Sequence, residues 1–164
     1  MKELYLGKIV NTHGLKGEVR ILSDFEKKDR IFQPGKRLYI GPSRQEVTIT
    51  SYRHHKMYDM VTLEGYTDIN QVLPWKGQAV YCKREELGLN QDEFLTSDLI
   101  GMRIQDQLGK CGKVVGVRVI HENNRLLEVL VDQKKEYIPL QKEFIRNIDF
   151  ERQKIEIESQ KGLW

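Results

Sequence analysis

Only two of the 164 residues are cysteines, Cys82 and Cys111, too far apart to frame a disulfide scaffold, and such sparing use fits a reducing compartment. Long apolar runs are missing as well: none exceeds about five residues, against the roughly 18 needed to cross a bilayer. Glu3, Gly7 and Lys8 interrupt any apolar stretch of a secretory signal, so none is expected. Charge of one sign is scarce. The 27 Lys and Arg against 24 Asp and Glu leave +3, far from the field of a histone-like binder. What is present, 39% hydrophobic and 31% charged residues, supports packed cores, and the length allows one medium domain or two of roughly 80 residues. A soluble cytoplasmic protein without membrane contact is expected.

Signatures of chemistry are equally thin. His13, His54, His55, His121 and the two cysteines never adopt the close spacing that presents ligands to one metal ion. His54 and His55 are adjacent, and on a strand they would point to opposite faces. Ser23, Ser43, Ser51, Ser97 and Ser159 all lie outside a G-x-S-x-G elbow, and no P-loop is present. No catalytic residue, metal or cofactor is therefore expected.

Short β-branched or aromatic segments, parted by glycine, proline and charged turns, predict strands over 4–10, 18–22, 37–40, 46–52, 58–64 and 78–83. One short helix is predicted between them: Thr67 can cap it, Ile69, Val72 and Leu73 share a face, and Pro74 stops it. Six short strands and one helical turn point to a small closed barrel. The stretch 84–91 (REELGLNQ) reads as a linker. Strand signals resume over 99–105, 113–120, 126–131, 136–140, 145–150 and 154–158, predicting a second small barrel. Charge divides unevenly across this boundary. Residues 1–85 carry 15 Lys/Arg and 10 Asp/Glu, whereas 86–164 carry 12 and 14. A net of +5 beside −2 predicts a polyanion for the first half and a basic protein for the second.

The segment 7–20 (GKIVNTHGLKGEVR) is the most informative of the first half. A strand enters His-Gly-Leu-Lys-Gly and another leaves it. Gly14 and Gly17 supply the turn, while His13, Lys16 and Arg20 place donors beside it. Such a loop is either an ordinary hairpin turn or a surface that touches RNA phosphates without reading bases. Arg53 and Lys56 extend the candidate RNA contacts, with Lys27, Lys28, Arg30, Lys36, Arg37 and Arg44 as a wider basic footprint. Tyr52 and Tyr58 could stack on unpaired bases.

Gly7-Lys8-Ile9, the run His13-Gly14-Leu15-Lys16-Gly17-Glu18-Val19-Arg20 and Ser23-Asp24 resemble the opening of the RimM family of ribosome maturation factors. Phe32, Gly35, Leu38, the helix before Lys76-Gly77 and Asp98-Leu99-Ile100-Gly101 follow in the same order. Gly109, Gly112-Lys113-Val114, Pro139, Ile148-Asp149 and Gly162-Leu163 complete it, and this second set resembles a PRC barrel. The resemblance implies an all-β fold of two small β-barrels in tandem, with one short helix in the first. A translation-factor-type barrel would occupy residues 1–85, a linker 86–97 and the PRC barrel 98–164. It implies a monomeric, non-enzymatic assembly factor for the small (30S) subunit, acting late around the subunit head and supporting 16S rRNA processing. Its partners would be the immature 30S subunit, 16S rRNA and small-subunit ribosomal protein nineteen. One departure stands out. The family commonly places an aromatic pair, usually two tyrosines, just before Asp-Leu-hydrophobic-Gly, where this chain has Phe94-Leu95. Phe94, Leu95 and Asp98 are accordingly the candidate ribosomal-protein contacts.

Two other classes stay open on residues alone. A small-barrel enzyme of the flavin-reductase kind would show a bound chromophore or metal. A general RNA-binding protein or PRC-type regulatory module would not distinguish immature from mature subunits.

Overall fold

Buried side chains alternate with outward ones along Glu18–Leu22, Ala79–Lys83 and Lys154–Ile157. The computed structural model describes residues 3–121, 124–159 and 163–164, so Gly162 of the family-like C-terminal pair lies outside the described residues. The chain divides into two compact units, Met1–Glu93 and Phe94–Trp164.

In the first unit, β1 (Glu3–His13), β2 (Glu18–Leu22), β3 (Arg37–Ile40), β4 (Gln45–His55), β5 (Tyr58–Leu63) and β6 (Ala79–Lys83) close into a barrel of order β1-β2-β5-β4-β3-β6. Leu6, Ile9, Val19, Ile21, Leu38, Val61 and Val80 are fully buried within it. Closure requires the backbone of β1 to pass close to β2. A Cβ on Gly7 would sit 2.2 Å from the Leu22 carbonyl oxygen, which accounts for glycine at the start of the Gly7-Lys8-Ile9 motif.

Two helices of four residues, α1 (Lys28–Ile31) and α2 (Ile69–Val72), accompany the barrel. Helix α2 is capped by Asp68 rather than by Thr67. The Asp68 carboxylate accepts the Asn70 N–H at 2.7 Å, and the Gln71 side chain accepts the Asp68 N–H in return at 3.1 Å. Helix α1 has no side-chain cap and is too short to show a period. Tertiary contacts hold it: Ile31 is fully buried, and Arg30 donates to the Gly88 carbonyl at 3.2 Å and pairs with Glu93.

The stretch read as a linker packs onto this barrel as far as Glu93. Leu87 is 1% exposed within a 3-10 turn (Arg84–Leu87), and Arg37 grips Glu86 through its side chain at 2.7 and 3.0 Å. The charge division changes with it. Residues 1–93 hold 15 Lys/Arg and 13 Asp/Glu, and 94–164 hold 12 and 11, so the units carry +2 and +1. The basic-against-acidic contrast came from assigning Glu86, Asp92 and Glu93 to the wrong side. It no longer argues for two kinds of partner.

In the second unit, β7 (Arg103–Gln105), β8 (Cys111–His121), β9 (Asn124–Val131), β10 (Lys134–Pro139), β11 (Ile145–Asp149) and β12 (Lys154–Ile157) form one six-stranded sheet of order β10-β9-β8-β7-β12-β11. The β12–β7 pair is parallel. The sheet wraps a single core, since Ile104, Val114, Leu127, Ile138 and Ile155 from five strands meet fully buried in it. The strand predicted over 99–105 is shorter than expected. A 3-10 turn (Thr96–Leu99) occupies its start, and the Met102 N–H returns to the Leu99 carbonyl at 3.1 Å before β7 begins. No helix among the described residues is long and apolar enough to cross a membrane.

The turn between β7 and β8 is organised by Asp106, which is nearly buried. One carboxylate oxygen accepts the Leu108 and Lys110 N–H groups at 2.9 Å each, and the other accepts the Trp164 indole N–H at 3.0 Å. Burial alone would raise this carboxyl, but those three donors and the Lys110 charge outweigh it and hold it below its ordinary 3.8. A carboxyl lowered in the folded state stabilises above its unfolded value, and that gain disappears as pH falls through the folded one. Asp106→Ala is expected to lose on the order of 2 kcal/mol at neutral pH. Urea titrations from pH 7 to pH 2 should show a shallower acid decline than in the wild type. A parallel decline would remove Asp106 from the acid response.

Candidate nucleic-acid interface

The hairpin β1–β2 carries its glycines for two different reasons. Gly14 and Gly17 both have positive φ, at +73° and +85°. Only Gly17 is also crowded: a Cβ there would lie 2.5 Å from the Tyr66 carbonyl oxygen, whereas nothing lies within 4 Å of one at Gly14. The loop is docked at this point, because the Leu15 carbonyl accepts the Ile69 N–H of α2 at 2.9 Å. Lys16 is thereby held exposed at the mouth of a cleft of about 370 Å³ lined by Thr50, Thr62, Gly65 and Tyr66.

Register then assembles a second hairpin beside the first. Arg20 of β2 pairs with Met60 of β5, and Met60 with Arg53 of β4. His13 lies opposite Glu18, and His55 opposite Tyr58. His13, Arg20, Arg53 and His55 share one face of four neighbouring strands, on which Met60 is itself fully buried, and the His13 and His55 rings approach to 6.3 Å. Lys56 follows in the β4–β5 turn at φ +55°. The structure therefore brings His13, Arg20, Arg53 and Lys56 to one end of the barrel, with Lys16 in the adjoining loop.

The six cations and imidazoles are not equivalent. Arg53 is engaged by Glu18 through two bonds of 2.9 and 2.7 Å, and that pair lowers the Glu18 carboxyl. Arg20 donates through Nη2 to His13 Nδ1 at 2.7 Å and lies 5.6 Å above the Tyr58 ring. A guanidinium cannot accept a hydrogen bond, so His13 Nδ1 is the acceptor and the imidazole proton sits on Nε2. Burial and the nearby charges of Arg53 and Lys56 push His55 below its ordinary 6.5, which leaves a neutral ring at physiological pH. Lys16 and Lys56 are exposed, and among the described residues neither meets a carboxylate within ion-pair distance. Lys16, Lys56 and Arg53 are thus exposed and His13, His55 and Arg20 half-buried, with the two arginines already engaged by Glu18 and His13.

Sequence reasoning missed His55 and Glu18. Their signal was the two-residue period of β4 and β2, which places them on the face of Arg53 and His13 once the register is known. Much of the wider basic footprint is committed elsewhere, to Glu93 by Arg30, Glu86 by Arg37, Glu3 by Arg44 and Asp59 by Lys28.

The predicted contacts of the second unit separate. Leu95 is 1% exposed, so its side chain offers nothing to a partner and the expectation for it is corrected. The Asp98 carboxylate accepts the Leu95 N–H at 2.9 Å, closing the 3-10 turn. Phe94 is half-buried against the second core and meets Phe150, 40% exposed, with ring centroids 5.6 Å apart. Phe150 was not anticipated. The second ring beside Phe94 comes from the turn after β11, not from the preceding or following residue.

A closed barrel that presents donors from two hairpins, followed by a second all-β unit, defines a tandem small-barrel protein that works through its surfaces. The particular family follows from comparison with known proteins. Residues 4–87 match the RimM N-terminal domain and residues 96–163 the RimM PRC barrel domain. The chain belongs to the RimM family, whose members are non-enzymatic ribosome maturation factors. It is 33% identical to the ribosome maturation factor RimM of Staphylococcus epidermidis over 98% of both chains, and 35% identical to that of Staphylococcus aureus over 96% of both. Among solved structures it is similar to the 16S ribosomal RNA processing protein RimM of Pseudomonas aeruginosa, at 17% identity and TM-score 0.43, covering 97% of this chain and 98% of that one. The N-terminal domain of RimM from Thermus thermophilus matches at 21% identity and TM-score 0.46, over 53% of this chain and 95% of that one.

Proposed function

We propose that this chain matures the small ribosomal subunit by binding alone, in the cytoplasm and as a monomer. Its first barrel rests on 16S rRNA through the two hairpin tips, and its second unit holds ribosomal protein nineteen of the subunit head. The observation that carries this reading is the gathering of Lys16, Lys56, His13 and His55 at the two hairpin tips, with both lysines exposed. Ammonium and neutral imidazole N–H groups are donors, and phosphate oxygens are acceptors that such groups grip without reading bases. Gly14 and Gly17 set the loop, and Arg20 and Arg53, engaged by His13 and Glu18, add their charge to the same contact. For the second unit, Phe94 with Phe150 offers the aromatic anchor that protein interfaces favour, with Asp98 fixing the turn that carries Phe94.

Sedimentation of the full chain with immature and with mature small subunits tests the proposal. Preferential binding to the immature particle is expected. Lys16→Ala with Lys56→Ala should weaken that binding by about tenfold and flatten its log–log salt dependence by roughly 1.5 to 2, as two phosphate contacts are lost. Subunits lacking ribosomal protein nineteen separate the two contacts. Unchanged affinity and salt slope would reduce the loop to an ordinary hairpin.

A further inference from the structure

The outer face of the first barrel carries a row of three tyrosines that the hairpin-tip site does not use. Tyr5 of β1 lies opposite Tyr81 of β6, and Tyr81 lies opposite Tyr39 of β3. All three point outward, because their strand neighbours Leu4, Leu6, Val80, Cys82, Leu38 and Ile40 fill the interior. The Tyr5 and Tyr81 rings meet edge to face, with centroids 5.8 Å apart at 70°. The Arg44 guanidinium lies 3.7 Å from the centre of the Tyr81 ring, steered there by two bonds of 2.8 and 3.0 Å to Glu3. The Lys83 ammonium stands 4.9 Å over Tyr39, whose hydroxyl donates to Glu46 at 2.9 Å. Exposure rises along the row, from 7% at Tyr39 to 56% at Tyr5. The row ends in a plate of aromatic surface facing water, fixed by neighbours that are themselves fixed. Packing of the core does not account for it.

We propose that this row is a stacking platform for unpaired nucleotides, with a base on the Tyr5 ring and the strand running toward Arg44 and Lys83. Planar rings on a β-surface accept any base through its π-face, and cations beside them match the sugar–phosphate chain. Glu3 and Glu46 temper those cations, so affinity here rests on stacking more than on counterion release. The platform extends the reading of the first barrel as the RNA-binding unit and rests on it. It is a separate place, however: Tyr5 precedes His13 by eight residues on β1, and Tyr39 and Tyr81 sit on β3 and β6, which contribute no side chain to the hairpin tips.

The test uses the full chain, a fluorescein-labelled decaadenylate RNA and a ten-base-pair RNA duplex, followed by fluorescence anisotropy at several salt concentrations. Tyr5→Ala is expected to weaken decaadenylate binding by about tenfold with the wild-type salt slope, and to leave duplex binding unchanged. Tyr5→Phe, which keeps the ring, should bind as the wild type does. Lys16→Ala with Lys56→Ala lowers the salt slope instead, so failure of the hairpin-tip reading is seen separately from failure of the platform. Adding decaadenylate to the wild type should also shift the ring-proton resonances of Tyr5 and Tyr81, a readout that needs no substitution. The platform is overturned by unchanged single-strand affinity in Tyr5→Ala, by equal loss on the duplex, by absent ring shifts, or by no binding of decaadenylate at all. Binding of a protein segment in place of RNA at this row would overturn it equally.

Discussion

Gly17→Ala is expected to destabilise the first barrel by about 2–4 kcal/mol, whereas Gly14→Ala, in the same loop, costs about 1 kcal/mol. Both alanines would sit at positive φ, which disfavours any residue with a Cβ. At position 14 that strain is the whole effect, since open space surrounds the new methyl group. At position 17 the methyl group would fall 2.5 Å from the Tyr66 carbonyl oxygen, a backbone atom without a rotamer to escape into. Relief requires the loop to lift from α2, breaking the Leu15–Ile69 bond and moving Lys16. Trp75, whose ring lies 4.6 Å from that of Tyr66, reports the same region. Urea unfolding followed by Trp75 fluorescence in a Trp164→Phe background should separate the two variants clearly. Equal losses would mean that the close approach is not what selects glycine at position 17.

The second large effect belongs to Asp59. It lies on the inward face of β5 with Val61 and Leu63, and its carboxylate is completely buried. One oxygen accepts the Tyr52 hydroxyl at 2.7 Å, and Lys28 stands 3.0 Å from the other. Removing one partner of a buried pair strands the other, which typically costs about 3–5 kcal/mol. Lys28 is 31% exposed and can turn partly to water, so about 3 kcal/mol is expected for Asp59→Ala. Asp59→Asn keeps an acceptor for Tyr52 and should lose roughly half as much. Burial, helped by the bond to Asp59, holds the Tyr52 phenol above its ordinary 10. The sign follows: that contribution is complete below pH 10 and fades as pH rises through the folded value. Tyr52→Phe should flatten the alkaline decline. A wild-type urea midpoint for Asp59→Ala would show that the buried carboxylate is dispensable.

Local rules made much of this protein readable. The strands 18–22 and 37–40 coincide with β2 and β3, because short alternating segments between turn residues leave little freedom of register. The glycine loop at 14–17 was equally plain, since the chain has to reverse between two strands there. Burial without a pattern was not readable. Leu87 and Leu95 belong to no helical or strand period, and only tertiary packing explains their loss of exposure. Asp59 is a charged residue at an inward register position, a warning visible in the spacing, but its partner Lys28 is 31 residues away on a helix too short to announce itself. The aromatic companion that Phe94 lacks at position 95 lies at 150, in the turn after β11. Charge totals misled because three carboxylates near the boundary change sides with it.

The most direct measurement is the subunit profile of a strain lacking this chain, read together with the ends of its 16S rRNA. The account predicts accumulation of precursor 16S rRNA and a deficit of 30S subunits, both restored by the wild-type chain. The Lys16→Ala, Lys56→Ala chain, expressed to the same level, should restore them only in part. A normal 30S peak with mature 16S ends in the deletion strain would contradict the assignment to small-subunit maturation.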